Sequence, residues 1–88
     1  MEHKDVNLCC LGVGETGKII GLECDGELRR RLLDMGFTEG TPVKKIGDNP
    51  SRDPSAYLVR GAVIALRKRD SERIFVRSII QKEAEKWD

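Results

Sequence analysis

Apolar positions in this chain come in short runs divided by glycine, proline and acid-rich turns, and one stretch keeps a helical period. It opens at Asp25, a residue type suited to an N-cap, and sets Leu28, Leu32 and Met35 at i, i+4 and i+7. Gly36 follows where a left-handed residue would end the helix. The spacing predicts a helix over 26–35 that buries Leu28, Leu32, Leu33 and Met35 and turns Arg29, Arg30, Arg31 and Asp34 to solvent.

The remaining runs read as strands. Residues 1–7 are polar and expected to be loose, with order beginning at the apolar run Leu8 to Leu11 and the turn Gly12 to Glu15. From Thr16 to Cys24 a strand is expected, and Gly21 breaks the alternation of Ile19 and Leu22 in the manner of a bulge. Thr41 to Gly47 is a second strand, in which Pro42 must sit at the first residue or on an edge. Asp48 to Ser55 is an exposed loop, and the runs Ala56 to Arg60 and Ala62 to Lys68 form a tight hairpin with Gly61 at positive φ. Asp70 is expected to cap a single helical turn through Arg73, before Ile74 to Val76 closes the domain as a strand. In the tail from Ser78 to Asp88, Ile80, Ala84 and Trp87 share a helical face, which predicts a helix docked on its own domain, since a lone short helix seldom holds in water. Five short strands and an inserted helix predict a mainly β fold, a small closed or half-open barrel.

With 88 residues the expectation is one domain over 1–88, with a core over 8–77 and a helical extension over 78–88. Charged residues make up 35% of the chain, against about 25% in an ordinary globular protein, so a mixed-sign polar shell surrounds a lean core. The net charge of +1 supplies no global field for holding nucleic acid or an anionic membrane. Three cysteines without framework spacing, and no signal-like N-terminal segment, place the chain in a reducing cytosol. No apolar run approaches the ~18 residues that cross a bilayer, so direct membrane insertion is not expected.

Gly12-Val13-Gly14-Glu15-Thr16-Gly17-Lys18 fits the spacing of a phosphate-binding loop. Ile19 stands where Ser or Thr must hold magnesium, and the β-branched, glycine-broken run that follows cannot open the helix such a loop requires. The motif therefore reads as a turn entering a strand. Cys9, Cys10, Cys24 and His3 are the soft metal ligands. If Cys9 and Cys10 lie on a strand they face opposite ways, and no chelating pair spacing is present, so no metal site or cofactor is expected beyond adventitious surface metal. His3, in the loose N-terminus, has no scaffold to make it a general base, and catalysis is not expected. The clusters Arg29-Arg30-Arg31 and Arg67-Lys68-Arg69 lack neighbouring aromatics for base stacking, which favours a protein partner over nucleic acid.

Three stretches carry a family resemblance: Leu8-x-x-Leu11-x-x-Gly14-Glu15-x-Gly17-x-Ile19, then LRRRLLDMGFTEGTPV from Leu28 to Val43, then DPSAYLVRGAVIALRKRD from Asp53 to Asp70 with Ile74-x-Val76. Over roughly residues 8–76 the sequence resembles the FeoA family of ferrous-iron transport proteins. The family pattern uses Gly14 and Gly17 but not Gly12, so Gly12 completes the phosphate-loop motif by accident. The resemblance implies an SH3-like barrel acting as a small accessory protein beside FeoB, a membrane permease with a GTPase domain. It implies a contact surface at the helix end and following turn, carried by Arg29, Leu32, Leu33, Met35, Gly36 and Phe37 with Arg60 and Arg67 of the hairpin. Leu32 and Met35 also fit a core role by spacing, and Gly36 a helix-ending one. Domains of this type also end iron-dependent repressors, so the alternative is a detached regulatory domain that binds a Pro-rich segment or self-associates.

Overall fold

The computed structural model describes residues 3–51 and 53–79. Six strands, β1 (His3–Asn7), β2 (Thr16–Leu22), β3 (Pro42–Asp48), β4 (Ser55–Val59), β5 (Ala62–Leu66) and β6 (Ile74–Ile79), pair antiparallel in the order β1-β6-β2-β3-β4-β5. Two helices interrupt them, α1 (Gly26–Asp34) between β2 and β3 and the short α2 (Lys68–Ser71) between β5 and β6. Among the described residues the sheet is open, with β1 and β5 as its edges, which is the half-open form of the expected mainly β fold with one strand, β1, added to the five.

Two bulges curl it. The register between β2 and β6 shifts between Ile19 and Gly21, where the broken alternation predicted it, and that between β3 and β4 shifts between Lys45 and Gly47. The concave face buries Ile19, Val43, Tyr57, Val59, Leu66, Ile74 and Val76. Leu8 and Leu11, from a 3-10 turn at Leu8–Cys10, and Leu32 and Phe37, from α1 and the turn after it, complete the core. Within β2, Gly17 is buried where an added Cβ would lie 2.8 Å from Val76 Cγ2. Gly17 and Lys18 are strand residues, and no helix follows them, so the phosphate-loop spacing has no phosphate-loop geometry.

Residues 3–7 are not loose. β1 adds to the edge of β6 in the register Asp5↔Arg77, and Arg77 Nε donates to Asp5 Oδ1 at 2.9 Å while Asn7 Nδ2 donates to the Glu72 carbonyl. Among the described side chains of this strand Val6 packs against the core, and one apolar residue gave no alternation to read. The turn expected at Asp70 to Arg73 starts earlier: Arg67 is the N-cap of α2 and Asp70 lies inside it. Ser78 and Ile79 belong to β6 rather than to a helix, and the rest of the predicted tail helix, with Ile80, Ala84 and Trp87, lies outside the described residues.

Helix α1 ends as its sequence predicted. Gly36 takes φ +105°, Gly36 N–H donates to the Leu33 carbonyl at 3.0 Å and Phe37 N–H to the Leu32 carbonyl at 3.0 Å. This is the Schellman arrangement, and its two bracketing side chains, Leu32 and Phe37, are fully buried. At the other end Asp25 has the extended backbone of an N-cap, but its side chain makes no capping hydrogen bond.

Among the described residues one buried side-chain polar atom, the Tyr57 hydroxyl, lacks a well-formed hydrogen bond: its neighbours Ser55 Oγ and Ser71 Oγ are turned to Asp48 Oδ1 and to the Lys68 carbonyl at 3.2 Å. Burial raises the Tyr57 pKa above its ordinary value of 10.0, so the folded state disfavours the phenolate. A group whose folded pKa is raised stabilises the fold below its unfolded value and loses that contribution as pH climbs. Stability should therefore decline above pH 10, and Tyr57→Phe should flatten that decline while being neutral or stabilising by ~1 kcal/mol near pH 7, since it removes a desolvated hydroxyl without a well-formed hydrogen bond among the described residues. Gly36→Ala should instead cost about 1 kcal/mol, through the left-handed backbone it must adopt. Urea titrations of both variants at the two pH values measure these shifts.

Candidate interaction surface

The end of α1, the turn behind it and the β4–β5 hairpin meet at one place. Arg60 and Gly61 form the two-residue turn of that hairpin with φ of 52° and 82°, a type I′ geometry in which a non-glycine residue occupies the left-handed region. The side chain of Arg60 lies across Gly36, where an added Cβ would stand 3.1 Å from Arg60 Cδ. Its Nη2 donates to Thr38 Oγ1 at 3.2 Å and to Thr41 Oγ1 at 3.4 Å, and the two threonine hydroxyls hydrogen-bond each other at 2.8 Å. Both oxygens are neutral, so the guanidinium charge is left uncompensated by these contacts.

The eight residues expected at the contact surface divide three ways. Leu32 and Phe37 have no exposed surface and Gly36 is buried, so these three hold the surface from beneath and offer no side chain to a partner in this conformation. Arg29 and Leu33 line a shallow depression of about 340 Å³ on α1 with Gly26, Arg30 and Asp34, and Arg29 Nη1 donates to the Leu22 carbonyl at 3.4 Å. Half-buried Met35 caps the helix, and exposed Arg60 sits over the turn. Arg67 is not with them: it follows β5, whereas Arg60 precedes it, so the two stand at opposite ends of that strand. Thr38 and Thr41 escaped the sequence reading; the Arg-Gly turn was the available signal that a long cation would stand beside the helix end.

A second cleft, of about 450 Å³, lies between the 3-10 turn, β3 and α2 and is lined by Cys9, Cys10, Lys45, Asp48, Ser55, Lys68 and Ser71 among others. Lys45 is 8% exposed, and its Nζ lies 3.3 Å from Asp48 Oδ1. Cys9 and Cys10 belong to the 3-10 turn, not to a strand, so strand alternation is not what orients them. Burial, and then the neighbouring Cys10, push the Cys9 pKa above the ordinary thiol value of 9.0, so the free side chain is a neutral thiol near pH 7. Cys24 is half-buried against the core. Among the described residues no group of three or more His, Cys, Asp or Glu side chains could hold a metal ion, and no helix is long and apolar enough to cross a membrane.

Known proteins agree with this architecture. The FeoA domain family matches residues 6–78. A fusion protein of Porphyromonas gingivalis, Fe(2+) transport protein A joined to the Fe(2+) transporter FeoB, is 33% identical over 69 residues, covering 78% of this chain and 8% of its own length. The solution structure of a FeoA-like protein from Clostridium acetobutylicum superimposes with a TM-score of 0.81 at 31% identity, over 92% of this chain and 93% of that one. In fold alone the chain resembles the zinc-complexed FeoA of Stenotrophomonas maltophilia, described as an SH3 domain protein, at TM-score 0.71 and 23% identity over 78% of this chain and 86% of that one. The same holds for a manganese-dependent transcriptional repressor at TM-score 0.77 and 15% identity, over 90% of this chain and 44% of that one. The curled antiparallel sheet, the helix α1 inserted between β2 and β3 and the match over residues 6–78 together make this chain a member of the FeoA family, associated with ferrous-iron transport.

Proposed function

We propose that this chain is a cytosolic accessory protein of ferrous-iron uptake that docks on the cytoplasmic portion of a FeoB-type permease and modulates its activity or assembly. It acts by binding, not by turning over a substrate. The observation that carries this reading is the relative in which a related segment and FeoB are one polypeptide. Covalent linkage raises the effective concentration of two parts that must meet, by millimolar amounts for a short linker, and so converts a weak docking into a stable one. A small chain with an exposed basic helix face and a shallow groove suits that role: Arg29 and Arg30 frame the depression, and Leu33 supplies apolar surface at its floor.

The second reading, a detached regulatory domain that binds a Pro-rich segment or its own copies, draws on likeness of fold to the repressor. A permease reading frame beside the gene favours the first reading, and a winged-helix repressor frame favours the second.

Immobilised chain is expected to retain the cytoplasmic portion of FeoB from the same bacterium. Leu33→Asp, which puts a carboxylate into the groove, should reduce retention at least about tenfold with circular dichroism unchanged. Because Leu33 is half-buried, the charge reversal Arg29→Glu with Arg30→Glu, at two exposed positions, serves as the companion variant and should weaken binding and its salt dependence together. Full retention by both variants would exclude this helix face as the docking surface.

A further inference from the structure

Strand β5 forms one edge of the sheet, and its sequence, Ala-Val-Ile-Ala-Leu, holds no charge, proline or glycine. Sheet edges left in this state are templates for another strand, and proteins ordinarily blunt them with lysine, proline or a covering segment. The hairpin fixes which groups are free. A two-residue turn makes Val59 and Ala62 a hydrogen-bonded pair, and the alternation of an antiparallel ladder makes Tyr57–Ile64 and Ser55–Leu66 the next two. The N–H and C=O groups of Val63 and Ala65 therefore point away from β4, and among the described residues no backbone group meets them. Val63 is 64% exposed and its cross-strand neighbour Leu58 36% exposed, while Ala65 is exposed beside them on the convex face. Four unpaired groups thus adjoin an apolar strip.

Charge names the occupant. Arg60 stands before β5, and Arg67, Lys68 and Arg69 follow it, all exposed; among the described residues none of these side chains forms an ion pair, although the Lys68 backbone N–H donates to Asp53 Oδ1 at 2.9 Å. An incoming strand finds a short apolar edge with basic side chains at both ends. A second copy of this chain fits poorly: antiparallel self-pairing centred on Ile64 would bring the turn that carries Arg60 towards the basic segment 67–69 of the other copy, beyond each end of the paired strands. Like charges so placed are destabilising. We infer that β5 is a docking edge for an extended segment of another protein, apolar at its centre and acidic at both ends, which joins the sheet as an added strand. This inference stands apart from docking through α1, because it uses backbone groups of β5 and is tested without FeoB.

The test is a titration of the isotopically labelled full chain with acetyl-Glu-Asp-Val-Thr-Val-Thr-Val-Asp-Glu-amide, followed by amide chemical shifts. Saturable shifts are expected at Val63 and Ala65. A lysine-flanked peptide of the same centre should bind about tenfold weaker or less well still. Ala65→Pro should abolish the shifts at Val63, because it removes an N–H that β4 does not use and so leaves the hairpin paired. If that variant fails to fold, the acidic peptide methylated at alternate backbone nitrogens should fail to bind the unaltered chain. Shifts centred on α1 or on the Cys9 cleft, equal binding of the lysine-flanked peptide, absence of shifts at about millimolar peptide, or a concentration-dependent dimer closed through β5 would each overturn the inference.

Discussion

The burial of Leu32 against Phe37 is the contact on which the rest of this molecule depends. A nine-residue helix with three consecutive arginines has little reason to form alone, because a segment so short cannot recover the cost of nucleation. Fully burying each of these two side chains stabilises by about 2–3 kcal/mol, and the Schellman hydrogen bond from Phe37 N–H to the Leu32 carbonyl ties their backbones together as both enter the core. The helix is thereby held against the concave face of the sheet, its arginines forced outward. Gly36 is the hinge of this arrangement, and the absence of its side chain leaves room for Arg60 to cross from the hairpin.

Much of this was legible in the sequence wherever local chemistry and tertiary structure ask for the same thing. Leu28, Leu32 and Met35 at i, i+4 and i+7 and the glycine after them located α1 and its end; the break at Gly21 located a bulge; Arg-Gly between two β-rich runs located the hairpin. Legibility failed where an element owes its existence to a distant partner. β1 is nearly all polar and is a strand because β6 offers it a ladder and Arg77 offers Asp5 an ion pair. Asp70 resembled a cap in isolation, but the chain turns at Arg67, and Asp70 instead reaches Arg31 of α1 at 3.5 Å.

For the interaction surface the same division holds. Periodicity marked Leu32 as a core residue as readily as a contact residue, and the fold buries it, together with Phe37 and Gly36. What reaches solvent is a ring of basic side chains around small apolar openings: Arg29 and Arg30 about Leu33 on the helix, and Arg60 and Arg67 at the two ends of β5. A net charge of +1 conceals this, because acidic residues, among them Asp34 on α1 itself, balance the sum. Local basic patches steer an acidic partner without the long-range field that would also attract nucleic acid.

Hydrogen–deuterium exchange of the chain, alone and with the cytoplasmic portion of FeoB, tests most directly whether the protein works by fitting these surfaces against a larger one. Slowed exchange is expected in residues 26–38, with β1 and the Cys9 cleft unchanged. Identical exchange in the two samples, or protection gathered at the Cys9 cleft alone, would contradict it.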